Sequence, residues 1–192
     1  MSDTDRDGAV DRKNQEGLLA LQSGDRARAA VLFAEAVALA GAGVEPTAPA
    51  ALEALYNRAT HPPADLTLAE RARDLEQVVG ATDGGSSPRA RALHAAACHN
   101  LAVVIEELGD TDRARDAYAR ALKARQIELG ADHPRLRPTL VRLAQLEHRA
   151  GRTLFALDLY ERALVLARRE LGPDHREVRT LEAWRADLTG EG

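Results

Sequence analysis

The chain has 192 residues, of which 45% are hydrophobic and 3% aromatic, and its formal net charge at pH 7 is −4. A mildly acidic chain without a run of lysines or arginines lacks the electrostatic footprint of a nucleic-acid-binding protein. No apolar stretch reaches the roughly 18 residues that a membrane span needs, and the acidic start differs from a signal peptide. With Cys98 as its one cysteine, the chain is predicted to be cytoplasmic, and its arginine excess is interpreted as that of a bacterial, high-GC genome.

The first periodic segment, residues 11–40, is predicted to form a helical hairpin. Gly24 separates two helical patterns, where glycine can adopt the positive φ that ends a helix, and Asp25 can cap the next helix. In that second helix, Ala29, Phe33 and Ala36 fall on one face. The repeating unit is therefore helix, tight turn, helix.

A weaker hairpin is predicted over residues 50–79. The turn HPPAD separates its two helices, and Asp65 is the expected cap of the second helix. Stretches rich in glycine and proline flank this unit at 41–49 and 80–88. We expect the stretch near 80–88 to be a flexible linker with a hinge.

Two clearer hairpins, over residues 90–129 and 135–171, repeat one another at a spacing of forty-two residues. Gly109 corresponds to Gly151, and Tyr118 corresponds to Tyr160. Each tyrosine stands between alanines at helical spacing, which is typical of a ring that fills the gap between closely packed helices. An amphipathic helix over 175–188, containing Trp184, has no partner hairpin and is predicted to cap the array. The chain is thus expected to be one all-α domain, 1–192, with about nine helices.

Residue types that often carry chemistry do not form a recognisable site. His94 and Cys98 are four residues apart on one predicted helix face, but a zinc site needs three or four ligands and no second cluster is visible. His133 and His175 recur at the repeat period after an aspartate, which indicates the start of a helix. No nucleophile has a histidine and a carboxylate in a recognisable context. We therefore predict no catalytic residue, no metal, no cofactor and no enzymatic activity.

The repeat also carries the sequences LGADHP and LGPDHR at equivalent positions, 129–134 and 171–176. Together with the glycine, alanine and tyrosine positions, they make the chain resemble the tetratricopeptide repeat family, in the forty-two-residue subtype known from kinesin light chains. The resemblance implies a right-handed superhelix of stacked antiparallel hairpins. It also implies that the first helix of each hairpin lines a concave groove, which holds an extended or helical peptide.

The groove positions of the family, carried over residue by residue, fall on both polar and apolar side chains. They are Asn14, Leu18, Tyr56, Asn57, His99, Asn100, Val103, Glu106, Val141, Arg142, Gln145 and Arg149. An asparagine there can bind a peptide backbone through its amide donor and acceptor, and Arg142 can bind a carboxylate through two parallel bonds. The alternative is that these are ordinary solvated residues of exposed helix faces.

The sequence therefore predicts a cytoplasmic adaptor or scaffold that binds a protein or peptide, without nucleic acid or membrane. Two alternatives stay open. One is a regulatory sensor, in which the half-arrays on either side of the 80–88 linker close over a short signalling peptide. The other is a structural subunit that self-associates, for example as a homodimer, through an array end such as the Trp184 face.

Overall fold

The computed structural model describes residues 3–41 and 48–190. Nine α-helices and a one-turn 3₁₀ helix (Pro134–Leu136) occupy 82% of these residues, and no strand is found among them. The all-α prediction with about nine helices is therefore confirmed. In chain order the helices are α1 (Asp3–Gln22), α2 (Arg26–Ala40), α3 (Pro49–Thr60), α4 (Leu68–Thr82), α5 (Pro88–Glu107), α6 (Thr111–Leu129), α7 (Arg137–Arg149), α8 (Thr153–Leu171) and α9 (Arg176–Thr189).

The helices pack as consecutive antiparallel hairpins: α1 with α2, α3 with α4, α5 with α6, and α7 with α8. The first helix of each later hairpin also packs on the second helix of the hairpin before it, so the units stack into one array. Most of the core, from Val10 to Leu181, is one continuous cluster. Of the predicted loop 41–49, residues 42–47 lie outside the described part of the chain.

Glycines end the first helices of three hairpins, as the sequence predicted. Gly24, Gly109 and Gly151 have φ values of +82°, +85° and +72°, which residues with a Cβ rarely adopt. In the third hairpin, the carboxylate of Asp110 accepts a hydrogen bond from the backbone N–H of Arg113 at 3.1 Å and so caps α6. The tight turn and the helix that follows it are therefore fixed by the same two adjacent residues.

Three helix starts differ from the sequence expectation. The cap of α4 is Thr67, which forms a capping box with Glu70, so the expected cap Asp65 lies outside the helix start. The repeating histidines, His133 and His175, are themselves the caps of the helices that they precede, because Nδ1 of each ring accepts a backbone N–H two residues on. The sequence indicated the start of a helix at both positions, and in the structure the ring nitrogen of each histidine supplies the cap.

A buried ion pair joins the two helices of the second hairpin. Arg58 donates from Nε to Asp74 Oδ2 at 2.8 Å and from Nη2 to Asp74 Oδ1 at 2.6 Å. Asp74 is only 4% exposed. Burial raises the pKa of Asp74, while the Arg58 guanidinium opposes that rise. This unit therefore uses a bidentate polar contact between its helices, which explains why its apolar repeat pattern is weak.

The predicted linker 80–88 contains the last turn of α4, a short turn and the first residue of α5. The Ser87 side chain caps α5 by accepting the backbone N–H of Ala90 at 3.1 Å. The motion expected of this segment stays a prediction.

α9 covers the C-terminal end of the array, as predicted for the last helix. Val178 and Leu181 are buried against the preceding hairpin. The Trp184 ring packs on the Tyr160 ring with centroids 5.8 Å apart, and Trp184 remains 36% exposed. The last helix thus buries part of the apolar surface of α8.

One aromatic ring fills the space inside three of the hairpins. Phe33 and Tyr118 are 0% exposed, and Tyr160 is 2% exposed. The alanines before and after each ring on the same helix face are also fully buried. Small residues let the helices approach, and the ring occupies the remaining volume, as the repeat predicted.

We expect Tyr118→Ala or Tyr160→Ala to lower the free energy of unfolding by about 2 to 4 kcal/mol, because truncation leaves a cavity at a closely packed contact. Tyr118→Phe is the matched control, since it keeps the ring and should cost only about 1 kcal/mol for the lost hydrogen bond. Denaturant unfolding measures both. Equal stability of the Ala and Phe variants would show that the ring volume does not matter.

Gly17 allows α1 to approach the Phe33 ring. A Cβ at Gly17 would lie 2.4 Å from Phe33 Cε1. That distance is far inside van der Waals contact, and the ring is enclosed on its other sides because it is fully buried. Gly8 lies on the same helix, and a Cβ there would meet only the flexible end of Arg12 at 3.7 Å.

Replacing these two glycines with alanine should change the stability of the fold in opposite directions. Gly17→Ala should destabilise the fold by about 1 to 3 kcal/mol through overpacking. Gly8→Ala should stabilise it by up to about 1 kcal/mol, because alanine is the better helix former. Thermal unfolding compares the two variants, and a stabilising effect at both positions would contradict the proposed contact.

Candidate binding groove

Hydrogen bonds and ion pairs connect several of the groove residues predicted on α3, α5 and α7, and we call the whole predicted set on these helices the groove surface. It comprises Tyr56, His99, Asn100, Val103, Glu106, Val141, Arg142, Gln145 and Arg149. Tyr56, Val103 and Val141 are half-buried and pack on the core, and Gln145 is half-buried on α7. Arg142 and Arg149 are exposed, with 53% and 60% of their side chains accessible.

Two further predicted positions lie inside the helix packing. Asn14 is 1% exposed, and its Nδ2 donates to the backbone oxygen of Ala50 at 2.9 Å, which joins α1 to α3. Asn57 is 9% exposed. Leu18, by contrast, is exposed on α1. Because a buried amide has little access to a ligand, we leave Asn14 and Asn57 out of the groove surface.

Asn100 connects α5 to α3. Its Nδ2 donates a hydrogen bond to the hydroxyl oxygen of Tyr56 at 2.9 Å. Burial raises the pKa of Tyr56, so the hydroxyl stays protonated and can donate in its turn. Asn100 is half-buried and keeps its carbonyl oxygen as a possible acceptor for a ligand.

His99 connects α5 to α7. Its Nδ1 hydrogen-bonds with the hydroxyl of the buried Thr139 at 2.9 Å, and its ring stands edge-on to Tyr118 with centroids 5.7 Å apart. Burial, helped by the nearby charges of Arg125 and Arg142, lowers the pKa of His99 to about 4. The imidazole is therefore neutral near pH 7 and acts as a polar link between helices.

Glu106 organises the charged end of the groove surface. Its Oε2 accepts a hydrogen bond from the buried Tyr118 hydroxyl at 3.0 Å. Its Oε1 lies 4.0 Å from Arg142 Nη1 and 3.8 Å from Arg149 Nη1. One carboxylate thus faces two guanidiniums at long range, and both guanidiniums retain donors that point to no partner in the described chain.

Three contributors to this site were missed by sequence reasoning. Thr139 is buried between helices. The sequence analysis considered the Tyr118 ring only for its packing and did not consider its hydroxyl. Arg125 lies on α6, whereas the predicted groove positions lie on the first helices of the hairpins. Arg125 is half-buried, and its Nη1 donates to the backbone oxygen of Arg135 at 2.8 Å. The repeat does not single out this position, because the equivalent residue of the next hairpin, forty-two residues later, is an alanine.

The low pKa of His99 makes stability depend on pH. A folded-state pKa near 4 against an unfolded value of 6.5 favours the neutral ring in the folded state. This contribution is therefore complete above pH 6.5 and is lost as the pH falls towards about 4. We expect a loss of about 2 to 3 kcal/mol over that window and a flatter profile in His99→Gln. Denaturant unfolding across the window tests this, with the exposed His148→Gln as control; identical profiles for wild type and His99→Gln would contradict it.

The described residues contain no group of three or more histidine, cysteine or acidic side chains placed to hold a metal. Within the same residues, His94 Nε2 and Cys98 Sγ lie 3.6 Å apart. No helix of the described chain is both long and apolar enough to cross a bilayer.

Comparisons with known proteins bear on the fold and on the repeat. Residues 89–164 match the model of a tetratricopeptide repeat family. The chain is similar to the crystal structure of the nearly identical TPR-like repeats of a putative kinesin light chain from Podosopora anserina, with a TM-score of 0.71 and 19% identity, covering 94% of this chain and 86% of that one. It is also similar to BtubC (BKLC) from P. vanneervenii, with a TM-score of 0.70 and 18% identity, covering 96% of this chain and 73% of that one. Comparison with curated proteins gives no match.

The resemblance read from the repeat spacing is therefore confirmed. Residues 89–164 match a tetratricopeptide repeat model, and the described array has a stacked-hairpin fold similar to that of the kinesin-light-chain-like repeat structures.

Proposed function

We propose that this chain is a non-catalytic adaptor or scaffold, which binds a protein or peptide on its groove surface. Tetratricopeptide repeats commonly mediate interactions between proteins, and the match over residues 89–164 includes α5, α7 and most of the groove surface. We place the adaptor in the cytoplasm and assign it no cofactor, as its single buried cysteine and its composition suggest.

The main support for the proposal is that two arginines face the single carboxylate of Glu106. Arg142 and Arg149 share this one carboxylate at 4.0 and 3.8 Å, which are distances of weak ion pairs. Each guanidinium has five N–H donors in a planar fork, so most of them remain available. A carboxylate of a partner can therefore bind between them with two parallel bonds.

The rest of the groove surface suits a peptide beside that charged pair. Val103 and Val141, on the two helices that carry Glu106 and the arginines, are only half-buried and so expose some apolar area. Asn100 is held in position by its bond to Tyr56, so its free amide oxygen can accept a backbone N–H without a large entropic cost. Apolar contact, a fixed amide and a charged fork together favour a protein ligand.

Self-association through the end of the array is the second candidate function. Trp184 on α9 is 36% exposed, and Phe155 at the start of α8 is 68% exposed. Large apolar side chains at an array end are typical of contacts between copies. Sedimentation velocity over a range of protein concentrations tests this, and a Trp184→Ser variant should abolish any dimer that uses the α9 face.

We expect Arg142→Ala combined with Arg149→Ala to weaken partner binding by about 1 to 3 kcal/mol, because the charge-assisted bonds to the ligand are lost. Unfolding stability should change by less than about 1 kcal/mol, since both side chains are exposed and their ion pairs are weak. Calorimetry against a partner recovered by affinity capture from the cells of origin measures the first effect, and denaturant unfolding measures the second.

The matched control is Arg113→Ala combined with Arg162→Ala. These arginines lie on the second helices α6 and α8 and form comparably long ion pairs, at 3.6 Å with Glu76 and 3.9 Å with Asp158. The control changes net charge by the same amount, so it should leave affinity unchanged. If both double variants weaken binding equally, general electrostatic attraction explains the result and the groove surface does not.

Asn100 needs a separate measurement, since it takes part in the packing. Asn100→Ala removes the hydrogen bond to Tyr56 and should cost about 1 kcal/mol of stability. Its effect on binding is therefore measured only under conditions where the variant is fully folded.

A further inference from the structure

A cavity of about 460 Å³ lies outside the groove surface, between the turn that follows α4 and the C-terminal half of α6. Its walls are Thr82, Asp83, Gly84 and Gly85 from the turn, Arg91 and His94 from α5, and Arg120, Lys123, Ala124 and Ile127 from α6. This volume falls in the range of about 300 to 1,000 Å³ that is usual for small-molecule sites. None of its residues belongs to the groove surface.

The cavity carries excess positive charge. Three of its side chains are basic, and Asp83 is the one acidic residue in its lining. Arg91 Nη1 donates to the backbone oxygen of Ser86, which holds that arginine at the turn. The side chains of Arg120 and Lys123 form no hydrogen bond or ion pair with any described residue. Two unpaired cations beside a concave surface attract an anion more strongly than isolated surface charges do.

The wall formed by the turn is closely packed. A Cβ at Gly85 would lie 2.7 Å from Ala90 Cβ and 3.0 Å from the backbone oxygen of Thr82, so the turn touches α5 at this glycine. The Thr82 side chain is buried, and its hydroxyl donates to the backbone oxygen of Val78 at 2.6 Å. The turn therefore forms a closely packed wall of the cavity.

The polar atoms of His94 are already occupied. Since the Thr82 hydroxyl gives its one hydrogen to Val78, its oxygen accepts from His94 Nδ1 at 3.1 Å. Nε2 is then free to accept the thiol hydrogen of Cys98 at 3.6 Å. Burial raises the pKa of that thiol, which keeps it protonated and unreactive. His94 therefore forms a wall of the cavity, and Arg120 and Lys123 supply its free donors.

The next repeat shows what is distinctive about this cavity. Arg169 stands forty-two residues after Ile127, at the equivalent position of α8. Its Nη2 donates to the backbone oxygen of Asp132 in the connection between α6 and α7, which is equivalent to the turn between α4 and α5, so an arginine bridges the corresponding gap there. In the third hairpin, Ile127 cannot form such a bridge and stays 68% exposed. The gap is left open, with an apolar side chain on one wall.

We propose that this cavity binds a small organic anion, with its phosphate or carboxylate group held by Arg120 and Lys123 and its apolar body packed on Ala124 and Ile127. Charge-assisted hydrogen bonds supply the affinity for the anionic group, and the apolar wall selects a ligand with a hydrophobic part. Binding weakens as ionic strength rises, because both cations are exposed to solvent.

Fluorescence of 8-anilinonaphthalene-1-sulfonate tests the proposal, since this probe joins an anionic group to an apolar ring system. Inorganic pyrophosphate and citrate are added as competitors, and the stronger competitor identifies phosphate or carboxylate as the preferred group. We expect saturable probe binding that millimolar concentrations of at least one competitor displace. Probe binding that neither competitor affects would overturn the proposal, as would the absence of any binding.

Two pairs of variants locate the site. Arg120→Gln with Lys123→Gln should weaken probe binding about tenfold or more, whereas Arg26→Gln with Arg73→Gln, exposed and outside the cavity, should not. Ile127→Glu should also weaken it, and Val165→Glu, 60% exposed on α8, is its control. Circular dichroism confirms that each variant is folded. Equal effects within either pair would show that the probe binds elsewhere and would overturn the assignment.

Discussion

The close approach of helices at alanine contacts, with one aromatic ring filling the space that remains, is the constraint on which the rest of the structure depends. Tyr118 shows how packing and the candidate site are joined. Its ring is completely buried between fully buried alanines, and its hydroxyl reaches Glu106 at 3.0 Å. Glu106 in turn lies within 4.0 Å of Arg142 and Arg149. The residue that sets the spacing of the third hairpin therefore also positions the carboxylate at the centre of the groove surface.

Neighbouring first helices are connected by polar contacts: Asn14 bonds to the backbone of α3, Asn100 to Tyr56, and His99 to Thr139. Each of these contacts is at least partly buried, where an unmade hydrogen bond is costly. They fix the register of the stack while the apolar core supplies most of the stabilisation. A polar side chain on a first helix can therefore either join two helices or bind a ligand, and its burial decides which. Asn14 serves packing alone, while Asn100 retains an atom for a ligand.

Much of the fold followed from the sequence, because the repeat places glycine, alanine and tyrosine at positions where local rules act. The turn glycines and Asp110 depend only on neighbouring residues, and they were predicted correctly. The buried state of Asn14 was not, since a polar residue on a helix face gives no sign that a backbone oxygen of α3 will lie opposite. Arg125 was missed for the same reason, because tertiary packing alone brings it to His99.

We propose that a partner binds on the groove surface, most of which lies on the first helices of the third and fourth hairpins. Amide hydrogen exchange of the full chain, measured by mass spectrometry with and without a captured partner, tests this most directly. We expect added protection in α5 and α7, with little change in α2 and α8. Protection confined to α9 and the start of α8, with α5 and α7 unchanged, would contradict it.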